Sequence, residues 1–171
     1  IAKAKMKMAK AKIAIAIARN GGLEGINSYK SQLKRFFTNT FKGWFIEVTQ
    51  PKQYLLNCGI PNLPIVIRPT TLKAKIKKHN LTKEHLKDLN TQINSPLFVF
   101  HSQTVKGAFN VVIEKTNNEG LLCVSIHKNK EISKLVVNEI ATISGRNLNQ
   151  LRKWTYENCL IDYDIDKIKK D

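Results

Sequence analysis

The spacing of apolar positions divides the chain into a helical first part and a β-rich second part. In "NSYKSQLKRFFTNTFK", residues 27–42, Leu33, Phe36, Phe37 and Phe41 fall on one side of a basic helix that Ser28 or Asn27 can cap. "GWFIEVTQ" reads as extended, and "PKQYLLNCGIP" as a short helix with Pro51 at its first position and Gly59 at its end. "LPIVIRP" is a short apolar strand. Thr70 or Thr71 then opens "LKAKIKKH", with Leu72 and Ile76 inward and the lysines outward; Asn80 is a good left-handed terminator. Thr82 caps "KEHLKDLN", with Leu86 and Leu89 inward.

From residue 97 the period changes to that of strands. "LFVFHS", "GAFNVVIEKT", "GLLCVSIHKN" and "ISKLVVNEIATIS" predict four strands, two of them joined through the turn "NNEG" at 117–120. "NLNQLRKWTYENCL" predicts a closing helix with Leu148, Leu151, Trp154 and Cys159 in the core. The expected fold is α+β: N-terminal helices, an antiparallel sheet of about four strands, then a C-terminal helix.

The opening "IAKAKMKMAKAKIAIAIARNGG" fits neither period cleanly, since its lysines and isoleucines change register near Ala9. It is read as a basic low-complexity arm or linker over residues 1–22, followed by a linking basic helix over 23–46 and an α+β domain over 47–171. Its six-residue apolar run is shorter than a signal-peptide core. No apolar run approaches the roughly 20 residues of a transmembrane helix.

Charge sharpens the picture. The 171 residues carry a formal charge of +16, densest at the start, which favours an acidic polymer or anionic surface as partner. Cys58, Cys123 and Cys159 sit in apolar contexts without metal-ligand spacing and are read as reduced thiols. Asp162, Asp164 and Asp166 alternate near the end as a solvated edge. The sequence lacks a Gly-rich phosphate loop, a nucleophile elbow and a paired-histidine zinc motif, so neither cofactor nor metal is expected.

The candidate chemistry lies in histidines. His79 ends a predicted helix beside Lys78, while His101 and His127 lie near strand exits; His85 falls on an outer helix face and is read as structural. Two imidazoles around one phosphate serve as general base and general acid, and lysine stabilises the developing charge. RNA supplies its own nucleophile, the 2′-hydroxyl. On "VVNEIATISG", strict alternation places Val136, Asn138, Ile140, Thr142 and Ser144 on one face as a polar wall, with Glu139 among apolar neighbours on the other.

The blocks "QPKQYLLNCGIPNLPIVIRPTTLKAKIKKHNLTKEHLKDL", "SPLFVFHSQT", "VSIHKNK" and "VVNEIATISGRNLNQLRKW" resemble, in order and spacing, the C-terminal domain of MuF-type phage head proteins and of large polyvalent proteins of phages and conjugative elements. The resemblance covers about residues 47–165 and implies a fold of the barnase–EndoU–colicin–RelE-like (BECR) nuclease superfamily. Lys78, His79, Leu81 and Thr82 match one family block, and Ser102 and Thr104 a second. Ile126 and His127 match a third, and Val137, Asn138, Glu139 and Ile140 a fourth. Thr142 stands where Ser is usual, Ser144 where an aromatic is usual, and His101 where Lys or Arg is common.

What the resemblance implies is a phage or mobile-element effector: a metal-independent ribonuclease with His79, His127 and Lys78 catalytic. Ser102, Thr104, Asn138, Thr142 and Ser144 would position substrate. The alternative is a virion structural or cargo protein with a degenerate nuclease fold. Expected partners are nucleic acid (RNA, or packaged DNA), other virion or capsid proteins and an immunity protein, in the virion or the host cytoplasm.

Overall fold

A computed structural model describes residues 28–170. The arm at 1–22 and residues 23–27 of the expected linking helix, the proposed cap Asn27 among them, lie outside the described residues. In chain order the elements are α1 (Tyr29–Phe37), β1 (Ile46–Thr49), α2 (Gln53–Asn57), β2 (Ile65–Ile67), α3 (Pro69–His79), α4 (Lys83–Leu86) and α5 (Leu89–Ile93). There follow β3 (Phe98–His101), β4 (Ala108–Asn117), β5 (Gly120–Ile132), β6 (Leu135–Arg146), α6 (Leu148–Tyr156), β7 (Leu160–Tyr163) and α7 (Ile165–Lys169).

The strands form one seven-stranded sheet in the order β1-β2-β6-β5-β4-β3-β7. Every pairing is antiparallel except β2 with β6, which is parallel. This overturns the expected four-stranded antiparallel sheet between N-terminal helices and a closing helix. The four expected strands, β3 to β6, form the middle of the sheet, but β1 and β2 interleave with the helices in sequence and extend one side, and β7 follows α6 and extends the other. The added strands span only three or four residues each. β2 is buried at all three positions, so nothing alternates there. Its pairing with β6 spans some seventy residues and is set by packing.

Local signals explain most helix ends. The Ser28 side chain caps α1 by accepting from the Ser31 N–H at 3.1 Å. Pro69 sits at the first position of α3, where its missing N–H costs nothing; this places the start one or two residues before the expected Thr cap. Asn80 ends α3 in the left-handed region (φ 52°, ψ 48°), as expected. Thr82 caps α4, and His85 completes a capping box, its Nδ1 accepting from the Thr82 N–H at 2.9 Å. The segment read as one helix after Thr82 is two short helices, α4 and α5.

The main core lies on one face of the sheet. There Leu33 of α1, Leu72 of α3, Leu86 of α4 and Ile93 of α5 meet Val111, Leu122, Val124, Ile140 and Ile143. Tyr29 anchors α1 by donating its hydroxyl to the Leu86 carbonyl at 2.5 Å. A smaller core on the other face gathers Phe100, Val112, Cys123, Leu151 and Trp154 beneath α6. Each such fully buried side chain contributes about 1.5–3 kcal/mol. Leu148, expected inside, is 62% exposed at the start of α6.

β6 carries the second departure from the expected pattern. Ser125 pairs with Thr142 but Ile126 with Ile140, so the register slips at Ala141. This bulge sends both Ile140 and Ile143 into the main core and turns Thr142 and Ser144 away from it. The single polar row expected from strict alternation is therefore cut in two. Asn138 lies before the slip, Thr142 and Ser144 beyond it.

Candidate functional site: a cationic pocket around His79 and Glu119

β2 pairs with β6 only at Asn138 and Glu139. Past that point a cavity of about 470 Å³ opens beside β6, between the end of α3 and the start of α6. Lys75, Lys78 and His79 line it from α3, and Thr142, Ser144, Gly145 and Arg146 from β6. Asn147 and Gln150 close it at the α6 N-terminus, and Glu119 enters from the β4–β5 turn.

His79 is held from both ends. Its Nδ1 lies 2.9 Å from Glu119 Oε1 and 3.2 Å from Oε2. Its backbone carbonyl accepts from the Asn117 side-chain amide at 3.0 Å, satisfying one of the free carbonyls at the helix end. Cations suit the negative end of a helix dipole, and the last turn of α3 carries Lys77, Lys78 and His79.

Glu119 is fixed by backbone and amide donors. Its Oε1 accepts from the Gly145 N–H at 3.2 Å and from the Asn117 amide at 3.3 Å, and its own N–H donates to Asn117 Oδ1 at 2.9 Å. Desolvation opposes ionisation here, but the Gly145, Asn117 and His79 hydrogen bonds outweigh it and hold the carboxyl below its usual range. An ionised carboxylate only accepts, so Nδ1 carries the proton of the His79–Glu119 bond. In the neutral imidazole, Nε2 is then the basic atom.

The close approach of turn and strand needs glycine. A Cβ on Gly145 would stand 2.6 Å from Glu119 Cβ and 2.9 Å from the Gly120 nitrogen. Gly120 itself has φ +131°, strained for any side chain, and faces the Arg146 backbone.

The opposite wall is built for anions. The Arg146 guanidinium lies 5.4 Å from the Trp154 ring centroid. Ser144 is 6% exposed, and among the described residues its Oγ and the Arg146 Nε have no hydrogen-bond partner. The α6 N-terminus adds the positive end of its dipole, ordered by a capping box: Asn147 Oδ1 accepts from the Gln150 N–H at 2.9 Å and Gln150 Oε1 from the Asn147 N–H at 3.0 Å. Three cations, a helix N-terminus and one carboxylate–imidazole pair suit a phosphate beside a proton-transfer group.

Of the residues singled out in the sequence, this pocket brings together His79, Lys78, Thr142 and Ser144. His127 pairs with Ala108 and Glu139 and does not line the pocket. It lies two residues along β5 from Ser125, the partner of Thr142, and five from Leu122, the partner of Gly145. Ser102 stands in the turn after β3, where its Oγ accepts from the N–H groups of Thr104 (3.3 Å) and Val105 (3.2 Å). Thr104 is exposed on that turn. Asn138 is fully buried and donates to the carbonyls of Pro61 and Leu63, both at 2.9 Å, fastening the loop before β2. Glu139 finds its partner in Arg68, with Nε 2.5 Å from Oε2. Sequence reasoning missed Glu119, Lys75, Arg146 and Gln150 as pocket residues. Glu119 sat in a segment read only as a turn.

Among the described residues, no group of three or more His, Cys, Asp or Glu is placed to hold a metal ion, and no helix is long and apolar enough to cross a membrane. Residues 70–170 match the model of the phage MuF-C-terminal domain. No curated protein and no solved structure matches the chain. The matched segment runs from the first turn of α3 to the end of α7 and contains every residue that lines the pocket, whereas α1 precedes it. Covering more than half of the chain, the match makes this protein a member of the phage MuF-C-terminal domain family.

Proposed function

We propose that this chain is a phage virion protein, carried as cargo or held near other capsid proteins, whose His79–Glu119 pocket binds nucleic-acid phosphate and cleaves RNA. Membership of a phage family supports the virion setting. One observation supports the chemistry: an imidazole bonded to an ionised carboxylate in a pocket walled by Lys75, Lys78 and Arg146.

In the proposed reaction, His79 Nε2 takes the proton from a 2′-hydroxyl. The 2′-oxygen attacks phosphorus, the bond to the 5′-oxygen breaks, and the imidazolium returns a proton to that leaving oxygen. The products are a 2′,3′-cyclic phosphate and a 5′-hydroxyl. Lys78, Lys75 and Arg146 stabilise the added charge, and Thr142 and Ser144 position the phosphate. Glu119 holds the imidazole tautomer and stabilises its charged form. The reaction needs no metal, because the substrate brings its nucleophile.

A second reading, a structural virion protein without activity, is favoured by the same bonds seen differently. Asn117, Glu119 and Gly145 tie the β4–β5 turn to α3, and that clamp would persist in a degenerate site. Incubating the purified chain with total bacterial RNA, with and without EDTA, separates the two. EDTA-resistant cleavage lost in His79→Ala supports the nuclease. A folded chain that leaves RNA intact supports the structural role.

A further inference from the structure

The other side of α3 carries a second concavity. Phe36, Phe37 and Phe41 line it from α1 and the turn that follows, and Lys73 and Ile76 from α3, around about 430 Å³. The three rings are only half-buried, Phe36 and Phe37 meet edge-on at 5.3 Å, and Lys83 Nζ lies 5.3 Å from the Phe37 centroid. Residues 27–42 carry four cations and no carboxylate, and Pro69–His79 carry four lysines and no carboxylate. An aromatic groove bounded by two acid-free basic segments complements a polyanion with flat apolar groups.

We infer that the Phe36–Phe37–Phe41 groove is a base-stacking subsite for a single-stranded nucleic acid whose phosphate backbone crosses α3 into the His79 pocket. The inference rests on the reading of that pocket as a phosphate site. The two concavities share one helix: Lys73 and Ile76 face the groove, Lys75 and Lys78 the pocket. A helix with its side chains is about 10–12 Å across, so a few nucleotides of single strand reach both. Aromatic faces accept unstacked bases of any identity, while a duplex keeps its bases stacked on one another. The groove thus selects single strands without reading sequence, and α1, outside the matched family segment, supplies that selection.

The test titrates the full chain with a fluorescent single-stranded oligonucleotide whose 2′-hydroxyls are methylated, so that it binds uncut. Phe36→Leu/Phe41→Leu keeps apolar volume and removes the ring faces. It should weaken single-strand binding about tenfold, leave duplex binding unchanged, and preserve the salt slope, which counts phosphate contacts. Lys73→Glu, a surface change that cannot unfold the groove, should weaken binding and lower that slope. Unchanged single-strand affinity in the folded Leu variant overturns the subsite. So does equal loss of binding to a poly-glutamate peptide, which would make the groove a protein-docking site. His79→Ala reads the other proposal separately: its cleavage of unmodified RNA tests the acid–base chemistry, while binding of the methylated strand by the Leu variant tests the groove.

Discussion

His79 at the end of α3 meets Glu119 in the β4–β5 turn, forty residues away, through a 2.9 Å contact from Nδ1 to Oε1. The same carboxylate accepts from the Gly145 N–H on a third element. One acidic side chain therefore couples a helix end, a hairpin turn and a sheet strand at the mouth of a cationic pocket.

If the pair transfers protons, its members fail unequally. His79→Ala should lower RNA cleavage by 10²-fold or more, the usual contribution of a general base. Glu119→Gln keeps the shape and loses the charge, and should lower it less. His127→Ala should leave the rate within about twofold, because that residue does not line the pocket. Gel-resolved cleavage rates in EDTA check all three.

The depressed Glu119 carboxyl sets an acid limit. A group whose folded pKa lies below its unfolded value contributes stability that is present above the unfolded pKa and is lost as pH falls through the folded one. Its side chain is 43% exposed, so solvent screening keeps the contribution to about 1 kcal/mol or less. Urea unfolding of the parent and of Glu119→Gln should differ at pH 7. The difference should shrink below pH 4.5, the ordinary value of the group.

Gly145→Ala should be destabilising although it adds one methyl. The new Cβ would meet the Glu119 side chain and the Gly120 backbone, and separating turn from strand would loosen the Glu119 bond to the Gly145 N–H. Overpacking of this kind costs about 1–3 kcal/mol. A fall in the urea midpoint together with impaired cleavage is the expected result.

Arg68 and Glu139 make a pair of unequal burial, 48% and 7% exposed. Arg68→Ala strands a buried carboxylate on β6, whereas Glu139→Gln leaves a neutral amide there. The first should cost about 2 kcal/mol or more, the second less. Denaturant titrations that ranked them in reverse would show that the pair does little for stability.

What the sequence determined by itself was local. Ser28 and Thr82 announced helix starts, Asn80 a helix end, and strand-like runs the four strands β3 to β6, because each signal acts within a few residues of its cause. His79 and Lys78 were legible because a helix end beside a lysine is a local feature, and alternation along the strand singled out Thr142 and Ser144. The tertiary structure decided the rest. β1, β2 and β7 join the sheet through pairings that no short run encodes, and the slip at Ala141 appears only when β6 meets β5. Glu119 became a pocket residue, and Asn138 a fastener of the loop before β2, because packing brought partners from distant sequence to them. Such encounters depend on the summed burial of the whole core, which no local window contains.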